Sequence, residues 1–454
     1  MMAYDARKTA LDVLNTLNQD SNKTLDGILA EIPGEEQFGS RRDRALFSAM
    51  VYGVLRWRGR LDHMIDHFSN TPIHKIEPKV LNILRLGLFQ IIYLNRVPDS
   101  AAVNTAVELT KQFSTTRVAG FVNALLRKAS ENYKNVPFST FADNPVAFLA
   151  THASFPKWLA QRWLKRFEPE TAKALCETIN AIPPITIRTN TLKTTRAELF
   201  VSLEDEAEHV EQTRFAPDGI EIRNPKKSIP ELAGFKKGWF QVQDEAAQLV
   251  SLLLNPQPGE TVLDACAGLG GKTAHIVQLM QNKGSVAAID KDENKLQQLN
   301  FEMQRLNVSI VHARHHDLNS SLDKNRVGLF DRVLLDAPCS GLGVLRRNPD
   351  IKWNSAEADL KRHADIQKRF LVNLCRILKP RGILVYSVCS IEPEENEAVI
   401  HDFLKNHPEF VIDKSLGIVP ETLQSPVERK IGIKTLPLLD NMDGFFMARL
   451  RKIE

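Results

Sequence analysis

Two cysteines and one acid stand where this chain could do chemistry. Residues 336–341 read Asp-Ala-Pro-Cys-Ser-Gly, and residues 386–390 read Tyr-Ser-Val-Cys-Ser. Each cysteine follows a short apolar run, Val333–Leu335 and Ile383–Ser387, too brief for a helix and suited to a buried strand. Pro338 stops the first run from continuing. The C-terminal end of a buried strand is where open α/β sheets place their ligands. If the two strands are neighbours, Cys339 and Cys389 share one cleft with Asp336. A thiolate in such a cleft is a nucleophile. The bland alternative is a free cysteine serving as a small buried hydrophobe, which is its more common fate. Cys176 and Cys375, on apolar helical stretches, read that way. His312, His315 and His316 lie close together in sequence, but their spacing does not suit a metal, and no metal is expected.

A second candidate site is the stretch Asp264-Ala-Cys-Ala-Gly-Leu-Gly-Gly-Lys-Thr273. Its glycines let the backbone approach a ligand at a helix N-terminus. A P-loop requires glycine where Cys266 stands, and a dinucleotide fingerprint from Gly268 requires glycine at Thr273, so both fail. An adenosyl-type site without a pyrophosphate remains. Asp290, at the end of the next strand, is placed to bind ribose hydroxyls. Asp317, after the third strand, is placed to reach an adenine. Each acid alone reads as a solvated strand end; Asp290, Asp317 and Asp336 in register after successive strands are harder to dismiss.

From Gly238 onward, strands and helices alternate: strand Thr261–Cys266, helix Lys272–Met280, strand Ser285–Ile289, helix Glu293–Leu306 and a strand near Ile310–Ala313. The Val333–Leu335 strand, a helix Ala356–Leu378, strand Ile383–Ser387, a helix from Pro393 to Phe403 and strand Phe445–Leu450 follow. This order implies a parallel, doubly wound sheet. Residues 1–135 show helical periodicity throughout, as in Leu81, Leu84, Leu86, Leu88 and Ile91, and predict an all-helical module. Between them, about residues 145–235, mixed signals predict a small α+β module.

The chain has 454 residues, 43% of them apolar, with a formal net charge of +4. That excess is too small to establish a nucleic-acid partner, so the distribution of charge has to decide. Residues 40–60 carry six arginines (Arg41, Arg42, Arg44, Arg56, Arg58 and Arg60) against the single acid Asp43, with Phe47, Tyr52 and Trp57 among them. Arginine binds phosphates bidentately and aromatic rings stack on unpaired bases, which would suit RNA. The competing reading is a solvated helix face whose aromatics belong to the core. Five cysteines without a Cys-x-x-Cys pair fit neither a disulfide framework nor a zinc site. Met1–Lys8 is charged where a signal peptide needs an apolar stretch, and no run reaches the ~18 apolar residues of a membrane helix. A soluble, cytoplasmic protein is expected.

Taken together, Asp-Ala-Pro-Cys-Ser-Gly at 336–341, Tyr-Ser-Val-Cys-Ser at 386–390 with Glu-Pro-Glu-Glu-Asn at 392–396, and Cys-Ala-Gly-Leu-Gly-Gly-Lys at 266–272 resemble the Sun family of RNA cytosine-C5 methyltransferases. Leu46–Arg56 resembles a NusB-type RNA-binding domain. One departure is Gly268-Leu269, where the family usually has Ala-Pro. The resemblance implies a multidomain chain: a NusB-like helical domain over 1–140, an α+β linker domain over 145–235 and a Rossmann-like methyltransferase domain over 236–454. It implies S-adenosylmethionine held by Cys266, Ala267, Gly268, Leu269, Gly270, Gly271, Lys272, Asp290, Asp317 and Asp336. It also implies Cys389 as the nucleophile, Cys339 in product release and Asp336 beside the base. Lys272 or a helix N-terminus would favour the Cys389 thiolate. The implied partner is small-subunit (16S) rRNA, unassembled or partly assembled, met by a monomer. A DNA-type use of Cys339 as nucleophile and a non-catalytic RNA-binding factor are the competing functions.

Overall fold

The computed structural model describes residues 4–20, 23–32, 38–323, 328–415, 419 and 431–453. They fall into two compact units. The first comprises Met1–Ala181 and Leu345–Ala356, the second Ile182–Val344 and Glu357–Glu454.

The first unit is helical, with α1 (Ala6–Gln19), α2 (Leu25–Glu31), α3 (Arg41–Phe68), α4 (Pro78–Tyr93), α5 (Asp99–Lys111) and α6 (Thr116–Asn132). Pro78 opens α4 at a position where its missing N–H costs nothing. Apolar residues lie on nearly every side of α4, so it is buried: Ile83, Leu84 and Leu88 are fully enclosed. Each such leucine contributes roughly 1.5–3 kcal/mol relative to an exposed one. The helices Lys157–Arg166 and Pro169–Asn180, read from sequence with the 145–235 module, pack in this unit.

The segment Leu345–Ala356 belongs to the same unit although it follows the Cys339 loop in sequence. It is fastened by side chains. Trp353 Nε1 donates to the Leu55 carbonyl at 2.6 Å, and Asp350 accepts from the Leu25 amide at 3.2 Å. Lys352 is fully buried and donates to the carbonyls of Arg56 and Ser154 and to Asn180 Oδ1, at 2.9–3.1 Å.

The second unit contains two sheets. The smaller is antiparallel in the order β2-β3-β1-β4, from β1 (Ile185–Thr189), β2 (Ala207–Gln212), β3 (Gly219–Pro225) and β4 (Phe240–Val242). The larger runs β10-β12-β9-β8-β5-β6-β7, with β11 paired to β12. Its strands are β5 (Thr261–Asp264), β6 (Ser285–Asp290), β7 (Val311–His315), β8 (Phe330–Asp336), β9 (Leu378–Val388), β10 (Phe410–Ile412), β11 (Ile433–Lys434) and β12 (Phe446–Lys452). From β7 to β9 the pairing is parallel. The expectation of a wholly parallel sheet needs correcting, because β12 runs antiparallel to β9 and β10 antiparallel to β12. A strand that returns without a crossover helix must reverse direction, and the stretch before β12 carries only the short helix Pro437–Asp440 among its described residues. Strand order reverses at β5, between β6 and β8, which makes the carboxyl ends of these strands the natural ligand crevice.

Candidate active site

β8 and β9 lie side by side in parallel with Asp336 opposite Ser387, so their C-terminal loops emerge together. The Ala337 amide donates to the Ser387 carbonyl at 2.9 Å, and the Gly343 amide to the Cys389 carbonyl at 3.0 Å. Gly343 permits this: a Cβ there would stand 1.8 Å from the Gly444 carbonyl oxygen. As a result, Cys339 Sγ and Cys389 Sγ lie 3.2 Å apart. Both sulfurs belong to partly exposed residues.

Asp336 is held from two sides. Its Oδ2 accepts from Lys272 Nζ at 2.6 Å and its Oδ1 from Ser387 Oγ at 2.7 Å. Lys272, read as part of the cofactor loop, thus reaches the neighbouring strand end. Burial works against its charge, but Asp336 outweighs burial, with smaller help from Cys389 and Asp264, and raises the ammonium above the ordinary lysine value. The hydrogen bond to Cys389 and burial push the Cys339 thiol well up. The two sulfurs are in hydrogen-bond contact, and either thiol can be the donor. Burial, and then the acids Asp264, Asp336 and Asp290, push the Cys266 thiol well up too, which leaves it inert. Cys176 is buried and likewise raised by burial.

The glycine loop between β5 and the helix Gly271–Leu279 forms a cradle. Gly270 caps that helix in a left-handed conformation (φ 84°), where a side chain would strike Leu299. Nothing lies within 4 Å of where a Cβ on Gly268 would stand, so the backbone there faces open space. Asp290 braces the loop, its Oδ2 accepting from the Gly268 amide at 2.9 Å. Beneath it Asp264 is buried; burial raises its pKa to about 6, Thr273 binds its Oδ2, and its Oδ1 is buried without a partner. Asp317 lies beyond β7, exposed, with its carboxylate bound to Asn319.

Several residues at this site went unread in the sequence. Ser387 orients Asp336. Arg188, on β1, is fully buried and donates to the Gly271 carbonyl at 2.9 Å and to the side chains of Gln243, Gln278 and Gln241. Burial lowers its guanidinium to about 9. A lone arginine in a strand gives no sequence signal for this, whereas the glutamines around it are visible only once the sheet is built. Glu395 accepts from residues of both cysteine loops. Among the described residues one group, Cys375, His407 and Glu409, brings three possible metal-ligating atoms together; it contains none of the three histidines weighed from sequence.

The arginine cluster does not act as one surface. Arg56 is only 6% exposed and its donors go to the carbonyls of Ile179, Ala181 and Arg346, so its expected RNA contact is corrected to an internal staple. Arg44, Arg58 and Arg60 lie half-buried over Phe38, Trp353 and Phe138. Arg41 and Arg42, at the start of α3, are exposed. Phe47 is core, and Trp57 stacks on Tyr93 where α3 departs from helical geometry.

Three family models match the chain. Residues 251–451 match the family model described as 16S rRNA methyltransferase RsmB/F, residues 4–131 the NusB family, and residues 155–228 the Methyltr_RsmF/B-like, ferredoxin-like domain. A protein of Bacillus subtilis named probable ribosomal RNA small subunit methyltransferase B is 38% identical, over 100% of both chains. Its namesake from Synechocystis is 36% identical, over 98% of this chain and 99% of that one. The crystal structure of a methyltransferase homolog protein from Pyrococcus horikoshii, 30% identical, covers 68% of this chain and 99% of its own with a TM-score of 0.58. With this identity held along its whole length, the chain belongs to the ribosomal RNA small subunit methyltransferase B family.

Proposed function

We propose that this protein methylates C5 of a cytosine in small-subunit rRNA through a transient bond between Cys389 and C6 of the base. The observation that carries the reading is the pair of sulfurs 3.2 Å apart beside the Lys272–Asp336 ion pair. A lone reactive thiol would serve many reactions, but two in contact suit a bond that must be both made and released.

The glycine loop, the brace of Asp290 and the unpartnered Asp264 Oδ1 fit an adenosyl cofactor carrying hydroxyls and an amino group. In this reading S-adenosylmethionine is held by residues 266–272, with Asp290 toward the ribose and Asp317 toward the adenine, and when bound it supplies an electrophilic methyl group. The protein's own task is to make cytosine C5 nucleophilic. The Cys389 thiolate adds to C6, and the C5–C6 π electrons move onto the ring, leaving C5 electron-rich. Asp336, fixed by Lys272 and Ser387, faces the amino edge of the base. After C5 is methylated, its proton passes to water at the partly exposed site, the electron pair returns to the C5–C6 bond and the sulfur leaves as thiolate. Cys339, in hydrogen-bond contact with Cys389, assists the departing thiolate. Arg41 and Arg42 are the exposed members of the cluster and supply phosphate contacts. The base must leave its stack, which costs a few kcal/mol and least in a loop.

The test uses rRNA and a DNA of the same sequence as acceptors. Cys389→Ala should abolish methylation and adduct, a loss of at least ~10³-fold. Cys339→Ala should accumulate a protein–RNA adduct. Full turnover by Cys389→Ala, or an adduct formed through Cys339 on DNA, overturns the assignment.

A further inference from the structure

The motif Glu392–Asn396 has no part in the mechanism above, yet one of its side chains reaches both catalytic loops. Glu395 is fully buried. Its Oε1 accepts from the Ser340 amide at 2.8 Å and from Gln367 Nε2 at 3.2 Å. Its Oε2 accepts from Ser340 Oγ and Ser390 Oγ, each at 2.5 Å. Four donors fill the acceptor capacity of one carboxylate. Ser340 directly follows Cys339 and Ser390 directly follows Cys389, so one carboxylate grips the residue next to each sulfur. The two hydroxyls lie 3.3 Å apart. Gln367 extends the grip, since its Nε2 also donates to the Pro338 carbonyl at 3.0 Å. The Glu395 backbone is itself anchored, its carbonyl accepting from Tyr386 Oη at 2.5 Å.

We infer that Glu395 is a positioning residue that sets the distance between Cys339 and Cys389, and so couples release of the base to its capture. This rests on the catalytic reading of the two cysteines. Bonds to a carboxylate are about twice as strong as neutral ones, and here they join loops that follow different strands. Without them the loops stay joined by the Ala337–Ser387 and Gly343–Cys389 backbone bonds, but the residues next to the two sulfurs lose their shared anchor. A displacement of about 1 Å at a reacting group can cost on the order of 100-fold in rate.

The experiment reads the sulfur spacing apart from methylation. RNA-free protein is treated with diamide, which takes up the two electrons and two protons that the thiols release as they join. The rate of Cys339–Cys389 disulfide formation is followed by peptide mass spectrometry. Methylation, trapped adduct and S-adenosylmethionine affinity by calorimetry are measured beside it. Glu395→Ala should slow closure at least ~10-fold and methylation ~100-fold, with cofactor affinity unchanged. Glu395→Gln, whose amide can still bridge the two hydroxyls, should recover part of both. Ser390→Ala, a small change that leaves the fold intact, should slow closure and capture of the base without prolonging the adduct. Ser340→Ala should instead prolong the adduct. Wild-type closure rates in Glu395→Ala, or in Ser390→Ala if the former does not fold, overturn the inference. So does a loss of methylation matched by an equal loss of cofactor binding. Full methylation by Cys389→Ala would overturn the catalytic reading instead, with the closure rates still judging the clamp.

Discussion

Each unit of this protein withdraws a lysine from solvent, Lys352 completely and Lys272 in large part, and the two are handled in opposite ways. Lys272, in the second unit, meets a carboxylate: Asp336 offsets burial and raises its pKa. Lys352, in the first, meets only neutral oxygens, the carbonyls of Arg56 and Ser154 and the amide of Asn180. Burial, with Arg56 adding to it, pushes the Lys352 pKa well below the usual lysine value. The contrast separates two uses of a buried amine. Paired with an acid at a strand end, it keeps its charge beside the two sulfurs of the proposed site. Surrounded by carbonyls, it joins segments distant in sequence and offers no charge to anything outside. Burial alone therefore identifies neither lysine as functional; the partner does.

The comparison breaks most visibly at Lys272. Lys272→Met should lower methylation by about 10²–10³-fold, measured in single turnover, because Asp336 and Cys389 lose their cation together. The helical unit should melt unchanged. Lys352→Met should do the reverse: three buried acceptors lose their donor, at a cost of about 3 kcal/mol, read as a lower melting temperature of the first unit. S-adenosylmethionine titrated into that variant should bind as before. A Lys352→Met protein of wild-type stability would end the distinction. The smallest and sharpest effect is in pH. Lys352 binds protons less readily folded than unfolded, so its unit gains stability as pH rises toward the unfolded lysine value of about 10.4. Lys272 binds them more readily folded, so its contribution is complete below that value and is lost as pH climbs through its raised folded pKa. Hydrogen exchange followed separately in the two units between neutral and alkaline pH should give slopes of opposite sign.

The residues on which the proposed chemistry rests were readable in the sequence because their signal is local. Asp336 directly follows an apolar run and Cys339 and Cys389 come just past the end of one, a position that one dimension reveals. The glycine loop and Asp290 were visible for the same reason. What escaped reading depends on register or on distant packing. Ser387 faces Asp336 only because β8 and β9 pair in one register, and a shift of one residue would point it away. Arg56 looks like its neighbours in a list of arginines, yet on α3 it turns inward. The repeated Cys-Ser pairs at 339–340 and 389–390 were on view, but a shared partner for the two serines appears only when Glu395 is brought between them. The strand at β12 was located but counted with a parallel sheet, because periodicity does not encode direction.

The crossing of Leu345–Ala356 into the helical unit also has a consequence in time. On the ribosome, all of residues 182–344 emerge between the two parts of that unit. At ~5–20 residues per second the delay is on the order of ten to thirty seconds. Throughout it the carbonyls of Leu55, Arg56 and Ser154 lack the donors that Trp353 and Lys352 will bring. The unit begun first is thus completed late in synthesis. A cut at residue 181 would preserve this half-finished state rather than excise a domain.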